Sequence, residues 1–232
     1  MSSNIWFTSD THFSHANILK HCNRPFSSVE AMDQDMASRW NSTVGKDDTV
    51  YILGDFAWKN HAHWIHALNG NKILVFGNHD KMAESVYRSF TKVYGGPKQP
   101  GICQNTLGGK YMVMCHYPLY TWNGRWHDSV CLSAHTHGRY RPARPGETSG
   151  GLILEVGWDL YGRPIELQEV CKYLDDKLAI IKANEPTTKF RRLSLHLAAI
   201  GRILFSTNGG HYEKDMDSGY DADFSEQLSY GG

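Results

Sequence analysis

Four short apolar runs in this chain stop directly against residues of the kinds that hold metal ions, and that junction constrains the fold more than any other feature. Ile5-Trp6-Phe7-Thr8 leads into Ser9-Asp10-Thr11-His12, and Val50-Tyr51-Ile52-Leu53 into Gly54-Asp55. Ile73-Leu74-Val75-Phe76 leads into Gly77-Asn78-His79-Asp80, and Tyr111-Met112-Val113-Met114 into Cys115-His116-Tyr117-Pro118. A fifth segment of this kind, Ala134-His135-Thr136-His137-Gly138, follows later. Short β-branched or aromatic runs bounded by turn residues read as buried strands. The polar segments then gather at the carboxyl edge of a sheet, where open α/β folds place their sites.

Between the runs the pattern turns helical. Asn17 to Phe26 reads as irregular or briefly helical, ending in Arg24-Pro25-Phe26. Ser27 or Ser28 is a candidate N-cap with Glu30 in the first turn. Val29, Met32, Met36 and Trp40 at helical spacing predict an amphipathic helix over residues 28–43. A second helix is expected over His61 to Leu68, closed by Gly70 and followed by a strand at Lys72. This alternation is that of parallel βαβ units and an α/β fold. From about residue 91 short strand-like pieces predict a second sheet packed on the first, with Gly151 to Val156 the last clear strand and Leu167 to Ile181 a closing helix.

The expected domain therefore covers residues 1–181, with residues 182–232 a C-terminal extension. Within the extension, Phe190, Leu193, Leu197, Ile200 and Leu204 share one helical face over about residues 189–205, flanked by Lys189, Arg191, Arg192 and Arg202. Such a helix docks on the core or on a second subunit, which would make a homo-oligomer; a basic membrane-surface helix is the alternative. Beyond Ser206 the chain is acidic and Gly/Ser-rich, a composition that buries little apolar surface and is expected to be disordered or weakly ordered.

Composition narrows the setting. Twenty-four Lys and Arg balance twenty-four Asp and Glu, so nothing global favours a polyanion partner. The five cysteines are scattered and form no C-x-x-C pair, which points to a reducing cytoplasm rather than a disulfide framework or zinc ribbon. The N-terminus lacks the pattern of a signal peptide, and no run approaches the ~18 apolar residues of a membrane span.

Asp, His and Asn make a borderline-to-hard ligand set, suited to Mn²⁺ first, with Fe, Zn²⁺ or Ni²⁺ as alternatives. In a strand or extended turn Asp10 and His12 at i and i+2 project the same way, and His135 and His137 repeat the device. Asp55 has two oxygens and can bridge, Asn78 offers an amide oxygen, and His116 a further imidazole. These seven ligands, one of them shared, are too many for one tetrahedral ion and suit two. A metal pair roughly 3.5–4 Å apart generates hydroxide near neutral pH and neutralises phosphoryl charge, so hydrolysis of a phosphoric ester is the chemistry to expect.

The order Asp-x-His, Gly-Asp, Gly-Asn-His-Asp, His, His-x-His resembles the calcineurin-like metallophosphoesterase superfamily. Ser9-Asp10-Thr11-His12-Phe13-Ser14-His15-x-Asn17-Ile18, Arg24-Pro25-Phe26, Leu53-Gly54-Asp55-Phe56 and His116-Tyr117-Pro118 are similar to a small bacterial and phage branch of it. The resemblance implies two mixed β-sheets packed as a sandwich and flanked by helices in four layers. It implies one metal site of Asp10, His12, Asp55 and His137, and another of Asp55, Asn78, His116 and His135. It makes His79 the residue that protonates the leaving oxygen, with Asp80 hydrogen-bonded to its ring. Two positions depart from the family pattern. Ala134 stands where Gly is usual, which strains the backbone if positive φ is needed there. Trp58 stands where many members carry Asp, and alters the wall of the site.

The substrate is less determined. Arg24 and Arg125 are candidates to grip phosphate oxygens in a forked contact. Trp122, Trp126 and Trp58 offer stacking surfaces for a nucleobase, or pack in the core or mouth. His15 lines the site or belongs to its supporting loop. His61, His63 and His66 do not share a helical face and read as surface or lid residues. The reading favours a small nucleotide-like phosphodiester or phosphomonoester. A metal-dependent nuclease, a phosphoprotein phosphatase and a non-catalytic scaffold on the same fold stay open.

Overall fold

β1 (Ile5–Thr8) opens the chain, followed by α1 (Ile18–His21), α2 (Val29–Thr43), β2 (Thr49–Ile52), α3 (His61–Ala67) and β3 (Asn71–Val75). Then come α4 (Glu84–Tyr87), β4 (Lys92–Tyr94), β5 (Ile102–Leu107), β6 (Lys110–Cys115), β7 (Val130–Ser133) and β8 (Ile153–Glu155). α5 (Trp158–Tyr161), β9 (Ile165–Glu166) and α6 (Leu167–Asn184) complete the order. This is a computed structural model, and it describes residues 3–140 and 151–184.

Two mixed sheets face each other. The first has the order β4-β3-β2-β1-β9, parallel except for the antiparallel edge strand β9. The second has the order β5-β6-β7-β8, with β5 and β6 an antiparallel hairpin and the remaining pairs parallel. Thr8 pairs with Ile52 and Ile52 with Leu74. The strands of the first sheet therefore end together, and their ligand-bearing loops leave from one edge.

The period-two alternation of a strand explains the layering. Trp6, Val50, Ile52 and Leu74 face outward, where Met32, Met36 and Trp40 of α2 and Trp64 and Ile65 of α3 cover them. Ser28 caps α2 by accepting from the Ala31 amide at 3.2 Å. Phe7, Tyr51, Leu53 and Val75 face inward against Cys103, Met112, Met114, Val130 and Leu132 of the second sheet, and Val170 and Leu174 of α6 close that core. Trp40 is fully buried, so Trp40→Ala would cost about 3–5 kcal/mol. Trp122 and Leu119 cover the outer face of the second sheet at Val113, Cys115, Cys131 and Ile153.

The differences from expectation are local. β9 lies beyond the last strand the pattern marked, and at two residues abutting a helix it carries no period of its own. The strand expected over residues 151–156 is confined to Ile153–Glu155. α6 continues past Ile181 to Asn184, and the chain divides into units Met1–Asn184 and Glu185–Gly232. The helix expected over residues 189–205 and the acidic tail lie outside the described residues.

Candidate active site

The loop after β1 stays zipped to the loop after β2. Asp10 N donates to Gly54 O at 3.1 Å, His12 N to Asp55 O at 3.0 Å, and Phe13 N to Phe56 O at 3.1 Å. Ser9 Oγ adds a 2.7 Å bond to Leu53 O, and Thr11 Oγ1 a 2.6 Å bond to Phe56 O. Two glycines let the next loop approach. A Cβ on Gly54, at φ +88°, would sit 2.6 Å from Gly77 Cα, and one on Gly77 would sit 2.4 Å from Asp55 Oδ1.

Asp10, His12, Asp55, His135 and His137 all adopt left-handed φ, between 51° and 74°. Asp10 and His12 therefore do not converge by strand alternation, as i and i+2 spacing suggested, and neither do His135 and His137. The main chain turns left-handed at each of them, a conformation that non-glycine residues hold only when surroundings enforce it. Ala134 carries no such strain: it is buried with ordinary φ, and the left-handed residue is His135 beside it.

One oxygen of each central carboxylate is tied to backbone and the other is not. Asp10 Oδ2 accepts from His135 N at 3.0 Å, and Asp55 Oδ1 from His79 N at 2.9 Å. Asp55 Oδ2 lies 3.6 Å from His12 Nε2 and 3.5 Å from His116 Nε2. Asp10 Oδ1 lies 3.9 Å from His12 Nε2 and 4.0 Å from His137 Nε2. Asp10, His12 and His137 form one group able to hold an ion, and Asp10, Asp55 and His116 another. Asn78 Oδ1 reaches His116 Nε2 at 2.9 Å, and His135 Nδ1 the same nitrogen at 3.2 Å. All seven residues thus share one edge of the sandwich.

This donor set fits cations. Asp10 Oδ1 and His12 Nε2 are buried without a hydrogen-bond partner among the described residues, a costly state for groups of this kind. Leu53 O can only accept, so His116 Nδ1, 2.8 Å away, carries the proton. A neutral His116 ring then aims its Nε2 lone pair at the Asn78 and Asp55 oxygens, acceptor against acceptor, unless a proton or a cation stands between them. Burial would depress His116, but the Asp55 hydrogen bond and charge outweigh it and lift it to about 8. Burial pushes Asp10 up to about 6 and His12 down to about 3. His137 is lifted to about 10, burial being outweighed by Asp159 and Cys22.

Several sequence expectations need correction. Asp80 does not hold the His79 ring. Its oxygens accept from the main-chain amides of Asp55 at 2.9 Å, Phe56 at 3.0 Å and Gly77 at 2.8 Å, knotting two ligand loops together. Arg24 is not free for phosphate: it is buried and donates to Asp10 O, Thr11 O and both oxygens of Asp159. Trp122 is a core residue whose Nε1 donates to Ser129 Oγ at 3.0 Å, so it offers no stacking face. Arg125 donates to Tyr120 O and lies over the rings of Tyr120, Trp122 and Trp126 in its own loop, rather than reaching toward the ligands. His15 does border the cluster, 5.4 Å from His12 between ring centroids. His63 and His66 are exposed, and His61 half-buried.

Two supporting carboxylates escaped sequence reasoning. Asp159 Oδ2 accepts from His137 Nδ1 at 2.6 Å and also receives Arg24. Asp33 accepts from Ser14 N at 2.9 Å and from Ser14 Oγ at 3.1 Å, bracing the loop between His12 and His15. Neither sits in a motif; the one available signal was the abundance of donors in the loops they brace.

Known proteins resemble this chain in sequence and in fold. The family described as calcineurin-like phosphoesterase matches residues 3–143. An uncharacterized protein of Methanocaldococcus jannaschii is 48% identical over 85 residues, which are 34% of this chain and about half (48%) of that protein. The gene 66 proteins of Mycobacterium phages L5 and D29 are 29% and 28% identical over 72% and 75% of this chain, and 92% and 97% of their own length. A protein of unknown function from Aquifex aeolicus shares the fold with a TM-score of 0.56 at 24% identity, over 74% of this chain and 100% of that one.

Proposed function

The chain belongs to the calcineurin-like phosphoesterase family, and from that premise we propose a hydrolase of phosphoric esters that works with two divalent cations sharing Asp55. Asp10, His12, Asp55 and His137 would hold one cation, and Asp55, Asn78, His116 and His135 the other. The observation that carries this reading is the pair of buried, unpartnered atoms Asp10 Oδ1 and His12 Nε2 facing a second cluster across Asp55 Oδ2. When bound, the metal pair supplies a hydroxide nucleophile near neutral pH and offsets phosphoryl charge.

The remaining work falls to the chain. His79, whose amide is pinned to Asp55 Oδ1, donates a proton to the leaving oxygen. Asp80 keeps the loops after β2 and β3 in register, so that Asp55, Asn78 and His79 stay aimed at one point. Asp159 and Leu53 O hold the far nitrogens of His137 and His116, leaving each Nε2 for a ligand role. The substrate on this reading is a small phosphodiester or phosphomonoester of nucleotide type, and Mn²⁺ the first metal to try.

Hydrolysis of bis-p-nitrophenyl phosphate and p-nitrophenyl phosphate with Mn²⁺, before and after chelation, tests the proposal. Chelator-sensitive turnover supports it, and the ratio of the two rates separates diesterase from monoesterase. Failure on both with metal bound would favour a scaffold.

A further inference from the structure

Trp58 borders the candidate site with its indole only partly covered, 43% exposed. A single exposed aromatic is ordinary on a protein surface and carries nothing by itself. Trp58 differs in being held. Its ring stacks on His15 at 4.2 Å between centroids and 8° between planes, and tilts against His79 at 5.4 Å and 51°. His15 touches His12 at 5.4 Å, and His12 approaches His79 at 5.8 Å, so the four rings close a circuit.

The backbone beneath is braced from both sides. Trp58 N donates to Phe13 O at 2.8 Å, beside a bridge between Phe13 and Ala57. Ser14 is left-handed at φ 61°, held by Asp33 and by Trp64 Nε1, which donates to Ser14 Oγ at 2.9 Å. An indole fixed in this way gives up little freedom when another ring settles on it, which is the condition for a useful stacking site. Stacking is tolerant of the identity of the base, because every base has a π face.

We infer that Trp58, backed by His15, is the subsite for a planar aromatic group carried on the leaving alcohol of the ester, a nucleobase being the biological group of that shape. The assignment to the leaving side rests on the reading of His79 as proton donor, since Trp58 adjoins His79.

Adenosine 5′-monophosphate and ribose 5-phosphate share the phosphate and the sugar and differ in the base. Their inhibition constants against bis-p-nitrophenyl phosphate hydrolysis by the Mn²⁺-loaded full chain test the subsite. The nucleotide should inhibit about 10-fold or more the tighter, Trp58→Ala should bring the two within about 2-fold, and Trp58→Phe should keep most of the preference. Equal inhibition constants in the unaltered protein, or a preference that survives Trp58→Ala, overturns the subsite while leaving the hydrolase reading intact. Mn²⁺-loaded protein that hydrolyses neither this reporter nor p-nitrophenyl phosphate sinks the hydrolase reading instead. Calorimetric binding of the same two compounds then decides: a nucleotide preference lost in Trp58→Ala supports the subsite, and equal binding overturns it.

Discussion

Asp159 Oδ2 lies 2.6 Å from His137 Nδ1, and the same carboxylate takes the Arg24 guanidinium at 2.8 Å. The proton on Nδ1 is thereby fixed, and it is Nε2, facing Asp10, that gives up its proton to bind a cation. Asp159→Ala should weaken one of two bound Mn²⁺ ions by about 10–100-fold, read by competition with a chelator, while the other is held nearly as before. It should also destabilise the fold, because the buried Arg24 loses its counter-charge. Unchanged affinity for both ions would show that Asp159 serves Arg24 alone.

Asp55→Asn should strike both ions together. Oδ2 lies 3.6 Å from His12 on one side and 3.5 Å from His116 on the other, and the amide replaces a charged oxygen with a neutral group at that shared point. Metal analysis after gel filtration should fall from two ions per chain to fewer than one. Loss of one ion with the second retained would remove Asp55 as the bridge.

The strands and the ligand set were legible because both are written locally. A strand buried on both faces is a continuous apolar run, as in Ile73 to Phe76, and residues such as Asn78 and His79 at its end are unusual enough to stand out. The braces were not legible. Asp159 meets an arginine 135 positions away, and nothing in Gly157-Trp158-Asp159 announces the meeting. Arg24 and Trp122 read from the sequence as either substrate contacts or packing residues, because residue type alone does not report burial. The left-handed turns at Asp10 and His12 were invisible too, since glycine, which usually marks such turns, is absent there.

His79→Ala should keep both metals and lose turnover. Its ring has no hydrogen bond to Asp80 or to the ligands, so removal disturbs the metal cluster little, whereas a missing general acid costs about 10²–10⁴-fold in kcat. The loss should shrink for esters with good leaving groups, which need less protonation. Loss of metal in this variant would show that His79 holds the cluster rather than the substrate.

Asp80→Ala should act through the fold. Three amides, those of Asp55 and Phe56 buried and that of Gly77 partly so, lose their acceptor at once, and each buried donor left unpaired costs about 1–3 kcal/mol. The melting temperature should drop sharply, with metal affinity falling in parallel because Asp55 and Asn78 lie on the loosened loops. Asp80→Asn should rescue only part, since its amide group turns a donor toward one of the donors. A variant with full stability and impaired turnover would return Asp80 to a role on His79.

The metal-free and metal-bound proteins should respond oppositely to pH. In the metal-free chain His116 titrates at about 8 and His137 at about 10, both above the ordinary 6.5 of an unfolded histidine. Burial opposes both shifts, and the Asp55 and Asp159 carboxylates prevail. A folded pKa raised in this way contributes stability that is complete below 6.5 and lost as pH rises through the folded value. Between pH 6.5 and 8 His116 should cost the metal-free protein about 1 kcal/mol, with a further, solvent-screened share from the more accessible His137. The loss is partly offset by His12 and His135, whose rings burial holds below their ordinary value and which therefore gain stability over the same interval. Mn²⁺ takes the place of those protons, so its binding releases them and strengthens over the same interval. Denaturant unfolding at pH 6.5 and 8, with chelator and with saturating Mn²⁺, measures both slopes, and parallel slopes would mean that proton and cation do not occupy the same place.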